Sequence, residues 1–177
     1  MNWMLLPLKR YAEFSGRSRR TEYWMFQLFM FLVYLAMMVL MMVVGGGALV
    51  MASGGDPASA LAAGGAMMLI AGLYCVFALA MFVPSLAVSV RRLHDTNRTG
   101  WWLLAPMAGY VVMLVGAGLT AASPDNPAIG GILAAIGGLS ALILAIVLLV
   151  FMFLEGTRGP NDYGPDPKSD ALDHVFA

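Results

Sequence analysis

Four stretches of this chain contain no Asp, Glu, Lys or Arg: Tyr23 to Gly55, Pro57 to Val90, Thr99 to Pro124, and Asn126 to Leu154. An α-helix rises about 1.5 Å per residue and the hydrocarbon core of a bilayer is about 30 Å thick, so about 20 mainly apolar residues make one crossing. Each silent stretch has room for one, and the apolar runs place spans near 23–44, 66–90, 101–119 and 130–154. The chain is 60% hydrophobic and 11% charged, against about 45–50% and about 25% for a soluble domain. That excess exceeds what a chain of 177 residues can hide in its own core. With 15 Met and 20 Gly it reads as lipid-facing surface and close helix contacts. The expected fold is an all-α integral membrane protein, a four-helix transmembrane bundle preceded by an interfacial segment.

The cations fix an expected orientation. Lys9, Arg10, Arg17, Arg19 and Arg20 precede the first span, Arg91, Arg92 and Arg98 separate the second and third, and Arg158 and Lys168 follow the fourth. With four spans these segments share one side, and the two loops opposite carry only Asp56 and Asp125. The positive-inside rule makes the basic side, with both termini, cytoplasmic. Three parts follow: a basic interfacial segment 1–22, a membrane domain 23–154, and a Gly/Pro-rich tail 155–177. The first span is too long for a signal-peptide core of about 7–15 residues and is kept as a span. Trp3, Leu6, Tyr11 and Phe14 among Lys9 and Arg10 suit a short segment lying in the interface, limited by Pro7. Residues 45–65, rich in Gly, Ser and Ala, read as a flexible loop. The link between spans three and four, TAASPDNPAIGG, reads as a proline-framed turn.

A formal net charge of zero gives no bulk field to attract nucleic acid. The single cysteine, Cys75, excludes an intrachain disulfide and any cysteine-rich metal site. No cofactor is expected. Met37, Met38, Met41 and Met42 read as lipid-facing or packing residues, since thioether metal sites need exposed, convergent sulfurs.

Chemistry-bearing residues gather in three polar blocks: GRSRRTEYW at 16–24, RRLHDTNRTGWW at 91–102 and EGTRGPNDYGPDP at 155–167. His94 and Asp95 are the candidate catalytic pair, because imidazole titrates near neutrality and a carboxylate can orient it. Against that, neighbours in a tight turn point apart, and no second histidine lies close enough to complete a metal site, His174 being in the tail. Arg17, Arg20, Arg91, Arg92 and Arg98, with Asn161, are candidates for binding a phosphate or lipid head group through forked guanidinium donors. Orientation alone is a sufficient role for arginines beside membrane helices. Glu22 and Glu155 are candidates for structural pairing, with Arg91, Arg92 or Arg98 as the expected partner. Trp3, Trp24, Trp101 and Trp102 suit interfacial anchoring.

Inside the spans, Pro84 and Pro106 predict kinks, with freed carbonyls satisfied by Ser85 or Ser89. Thr99 is placed to cap the third helix. Gly130, Gly131, Ala134, Gly137 and Gly138 predict a smooth face on the fourth, for close packing or dimerisation.

The three blocks, in this order around four hydrophobic spans, resemble the bacterial family known as domain of unknown function 805 over nearly the whole chain. RRLHDTNRTGWW is similar to its central block, and GRSRRTEYW and GPNDYGPDP to its entry and exit signatures. The resemblance implies a bacterial inner-membrane protein and no established reaction. Asp162 departs from the basic residue expected after the asparagine, which weighs against anion binding by the tail. The expected activity is binding of anionic lipid head groups or of a membrane or soluble partner, a second copy of the chain included. A membrane-face enzyme acting on a phosphorylated lipid is the first alternative and a transporter of an apolar or lipid substrate the second.

Overall fold

A computed structural model describes residues 3–54, 57–123 and 126–168. The chain is all-helical with four long apolar helices, as expected of an integral membrane protein. A single turn α1 (Leu6–Lys9), with Pro7 in its first turn, is followed by α2 (Arg20–Ser53), α3 (Pro57–Asp95), α4 (Ala105–Ala122) and α5 (Ala128–Phe153). A short 3₁₀ helix at Gly100–Leu104 leads into α4. The chain packs as two units, one built from the segment ending at Glu13 and from Thr21–Ala87, the other from Phe14–Arg20 and everything from Val88 onward.

In the first unit α2 and α3 run well past the expected span ends. At about 1.5 Å per residue, their 34 and 39 residues reach about 51 and 58 Å. Gly45, Gly46 and Gly47, expected in a loop, lie inside α2, and Ala60 to Gly65 lie inside α3. Glycine costs about 1 kcal/mol in a helix. The two helices carry that cost beyond the expected span ends. Where α2 ends, the Ser53 hydroxyl donates to the Val50 carbonyl at 2.7 Å and the Ser59 hydroxyl to Met51 at 3.2 Å. Asp56 and Asp125, the two acids of the opposite loops, lie outside the described residues.

Pro84 sits inside α3 and leaves the carbonyl of Ala80, four residues earlier, without its helical donor. That carbonyl accepts the hydroxyl of Tyr11. The donor described at this carbonyl is a phenol from the N-terminal segment; Ser85 and Ser89, the donors expected, have contacts of their own. Further along, α2 and α3 meet through rings, Tyr34 against Tyr74 with centroids 5.5 Å apart and against Phe77 at 5.6 Å. Beside these rings lies an apolar cavity of about 680 Å³, lined from α2 by residues including Met38 and Met42 and from α3 by Ile70, Ala71 and Tyr74.

The second unit packs differently. Gly109 and Gly116 of α4 press against Ala141 and Ala134 of α5, and Gly130 and Gly137 of α5 press against Thr120 and Met113 of α4. A Cβ on Gly109 would lie 2.5 Å from the Ala141 nitrogen, and the other three positions are tighter still. The α4–α5 hairpin is thus held backbone to backbone, as small residues permit between membrane helices. The expected small face of the fourth helix is therefore Gly130, Ala134, Gly137 and Ala141. Gly131 meets nothing within 4 Å and Gly138 only the tip of Met113, because a period of 3.6 turns them away. Pro106 falls in the first turn of α4, where no helical donor is required, so the kink expected there is replaced by a helix start.

Candidate functional site

The end of α3 is the anchor of the second unit. Leu93, Arg91 and Arg92 are fully buried, and Arg17 and Asp95 are each 5% exposed. A buried charge is tolerated only when paired and hydrogen-bonded. Asp95 meets that demand by accepting Arg17 Nε at 3.0 Å on one oxygen and Arg92 Nη1 at 2.5 Å on the other. Its main-chain carbonyl accepts both the Thr157 N–H, at 2.8 Å, and the Thr157 hydroxyl, at 3.3 Å. Gly156 is tightly constrained here, since a Cβ would collide with the Asp95 carboxylate.

The two guanidinium groups then fasten other segments to this carboxylate. Arg17 donates through Nη1 to Gly159 O at 2.7 Å and through Nη2 to Thr157 O at 2.5 Å. Arg92 donates through Nε to Met152 O at 3.2 Å and through Nη2 to Leu154 O. The carbonyls at 152 and 154 are among the last of α5, which have no helical donor. Arg91 Nε reaches the Ser18 hydroxyl at 3.2 Å, while the Ser18 N–H donates to Arg91 O at 3.1 Å. Segment 14–20 and the tail from 155 are therefore held to one helix end by arginines that point inward.

The tail keeps its shape by local turns. Asn161 and Gly164 exchange main-chain hydrogen bonds at 3.0 and 3.1 Å, and glycine supplies the positive φ at 159 and 164. The Asn161 amide donates to His94 O and to the Thr157 hydroxyl, both at 2.9 Å, and its oxygen accepts the Tyr163 N–H. Asp166 accepts N–H groups from Lys168 at 2.9 Å and Gly159 at 3.1 Å. The Lys168 N–H chiefly, with that of Gly159 and against some burial, holds the Asp166 carboxyl below its ordinary range. Asp162 is exposed on this turn.

His94 and Asp95 are not a dyad. The His94 Nδ1 lies 3.2 Å from Gly16 O, a carbonyl that can only accept, so the proton of that contact sits on Nδ1. Its ring stacks on Tyr163 at 3.9 Å with an interplanar angle of 7°, while the neighbouring carboxylate is occupied by two arginines. Glu155 pairs at 2.6 Å with Arg20, in place of the expected Arg91, Arg92 or Arg98. Arg20 also donates to Phe153 O at 3.2 Å. Glu22, 3% exposed, lies in the first turn of α2.

Arg98 stands apart from the internal set. Its guanidinium lies 4.0 Å over the Phe151 ring and donates through Nη1 to Thr96 O at 3.1 Å, and among the described residues Nε and Nη2 have no acceptor. Phe151 also receives the edge of Trp102 at 5.1 Å, and Trp101 on the same 3₁₀ turn is 77% exposed. Thr99 occupies the N-cap of that turn without a side-chain cap, in contrast to the capping role expected of it. Trp3 and Trp24 are half-buried, Trp24 lying edge-on to Tyr23 at 5.2 Å. His174 lies outside the described residues.

Sequence reasoning did not single out Ser18, Gly156, Thr157 or Tyr163. Gly156 and Thr157 had a usable signal, standing directly after a helix end whose carbonyls needed donors. Tyr163 had none, because its partner is fixed by the path of the tail.

The family described as "Protein of unknown function (DUF805)" matches residues 11–165. The inner membrane protein YhaI of Escherichia coli is 33% identical over 173 residues, 95% of this chain and 97% of its own. The inner membrane protein YhaH of the same organism is 31% identical over 170 residues, 95% of this chain and 98% of its own. No solved structure matches the chain.

Proposed function

The chain belongs to the DUF805 family of inner membrane proteins, and from that premise we propose that it is non-enzymatic, has its basic face in the cytoplasm, and binds anionic phospholipid head groups there. The observation that carries the reading is the contrast between the arginines. Arg17 and Arg92 spend their donors inside the protein, whereas Arg98 is oriented by Phe151 with no acceptor among the described residues for Nε and Nη2, just before an exposed Trp101 in the chain. An arginine edge next to an indole at the start of a span suits a lipid phosphate: two forked donors for the oxygens and a ring for the glycerol level. Arg158 and Lys168, both exposed, extend the positive field along the same unit.

His94 and Asp95 support a structural role better than acid–base chemistry, because each is engaged by a different set of partners. Four spans without a charged side chain likewise favour binding over an ion or proton pathway.

The test is the ratio of phosphatidylglycerol to phosphatidylethanolamine that stays with the purified protein. A basic group near the membrane surface contributes about 1 kcal/mol, so Arg98→Gln should lower that ratio about fivefold and leave melting within a degree or two. A ratio that is unchanged in Arg98→Gln, and in Arg98→Gln with Arg158→Gln and Lys168→Gln, rules the reading out.

A further inference from the structure

The cavity between α2 and α3 belongs to neither the arginine network nor the proposed head-group site. Its walls are two spans, and it runs along α2 from Phe31 to Met42. At about 1.5 Å per residue this is about 16 Å of helix, close to half of the roughly 30 Å hydrocarbon thickness. Counted from Tyr23, where the uncharged stretch begins, it covers depths of about 12 to 28 Å. Most of it therefore lies in the half of the membrane remote from the basic end of α2.

Tyr34 reaches Tyr74 and Phe77 with centroid separations of 5.5 and 5.6 Å, so α2 and α3 meet at the groove through aromatic rings. A helix of a second copy is about 10–12 Å across with its side chains and cannot enter without parting these contacts. A volume of about 680 Å³ falls within the range of ligand pockets. No charged side chain lines it, and the methionines on its α2 wall can repack around a flexible chain. In a bilayer such a space is filled from the surrounding lipid.

We propose that this groove is a resident-lipid site that holds one phospholipid acyl chain from the leaflet remote from the basic face. The proposal is independent of head-group binding at Arg98. The Met-rich run of α2, which the arginine site does not use, becomes the adaptable wall of the groove, and Ala71 keeps its α3 side open.

The experiment is native mass spectrometry of the Arg98→Gln protein released from bilayers, so that head-group binding does not contribute. The expected result is a monomer carrying one phospholipid, and an added Ala71→Trp, which fills the groove, should reduce the retained fraction at least tenfold with melting unchanged. A second measurement on the unaltered protein uses a phospholipid with a photoreactive group on its acyl chain. Its crosslinks should concentrate on the peptides carrying Met38–Met42 and Ile70–Tyr74. The proposal is overturned by a lipid-free monomer, by a lipid-free dimer, by an isoprenoid adduct in place of the phospholipid, by retention indifferent to Ala71→Trp, or by crosslinks as frequent on Leu139 and Leu142 of α5.

Discussion

Replacing Asp95 by Asn keeps the shape and one acceptor of the side chain but removes the only negative charge between Arg17 and Arg92 among the ion pairs described for them. Asp95 is 5% exposed and its two pairs are 3.0 and 2.5 Å long, so neither guanidinium can recover its hydration without leaving its place. Breaking a buried pair from one side costs about 3–5 kcal/mol. By comparison the Arg20–Glu155 pair, whose side chains are 39% and 65% exposed, is screened by water and contributes at most about 1 kcal/mol. The loss should appear as release of segment 14–20 and the tail, which Arg17 ties together, while the α4–α5 hairpin stays intact. Limited trypsin cleavage at Arg17, Arg19 and Arg158 reads that opening. When reclosing is fast, cleavage follows the open population, so Asp95→Asn should be cut about two to three and a half orders of magnitude faster, since each 1.36 kcal/mol is tenfold. Glu155→Gln should change the rate less than about fivefold. If Asp95→Asn is cut within threefold of the parent, the buried network does not hold these segments and the reasoning fails.

The packing of the second unit makes a position-specific claim. Gly137→Ala drives a Cβ into the Met113 backbone and should cost about 1–3 kcal/mol, whereas Gly131→Ala, which meets open space, should stay within about 0.5 kcal/mol; melting in one detergent compares them. Tyr11→Phe removes the donor to the Ala80 carbonyl that Pro84 leaves open, and should cost about 0.5–1.5 kcal/mol, the net worth of one hydrogen bond at a half-exposed acceptor. Restoring the helical donor with Pro84→Ala should make Tyr11→Phe nearly neutral, and an undiminished cost in that background contradicts the assignment. The depressed carboxyl of Asp166 favours the folded tail above its unfolded pKa of about 3.9, and that contribution is lost as pH falls through the lower folded value. An Asp166→Asn tail should show less acid-dependent release, read below pH 4 by limited cleavage with pepsin, which is active there.

The four spans were legible because charge is the one feature hydrocarbon does not tolerate, and every charged residue marks a place where the chain is outside it. Their ends were not, since residues 45–47 and 60–65, whose composition predicts a loop, continue α2 and α3 as helix. The small face of α5 was half legible: Gly130, Ala134 and Gly137 pack as expected, and helical rotation excludes Gly131 and Gly138. At the site, the structure links segment 14–20, the end of α3 and the tail, parts of the three polar blocks, through Arg17 and Arg92. The direction of each arginine was not legible. Whether a guanidinium turns to a lipid phosphate or to an internal carboxylate depends on where Asp95 and the carbonyls of α5 fall, which involves contacts 60 to 78 residues apart.

Hydrogen exchange of peptide 155–164 in bilayer discs tests the central claim most directly, that buried arginines fix the tail to the end of α3. The amides of Thr157, Gly159, Asn161, Tyr163 and Gly164 are all hydrogen-bonded, so this peptide should exchange at least a hundredfold slower than an unfolded chain and lose that protection in Asp95→Asn. Exchange at the unfolded rate in the parent protein, or equal protection in both, would contradict the account.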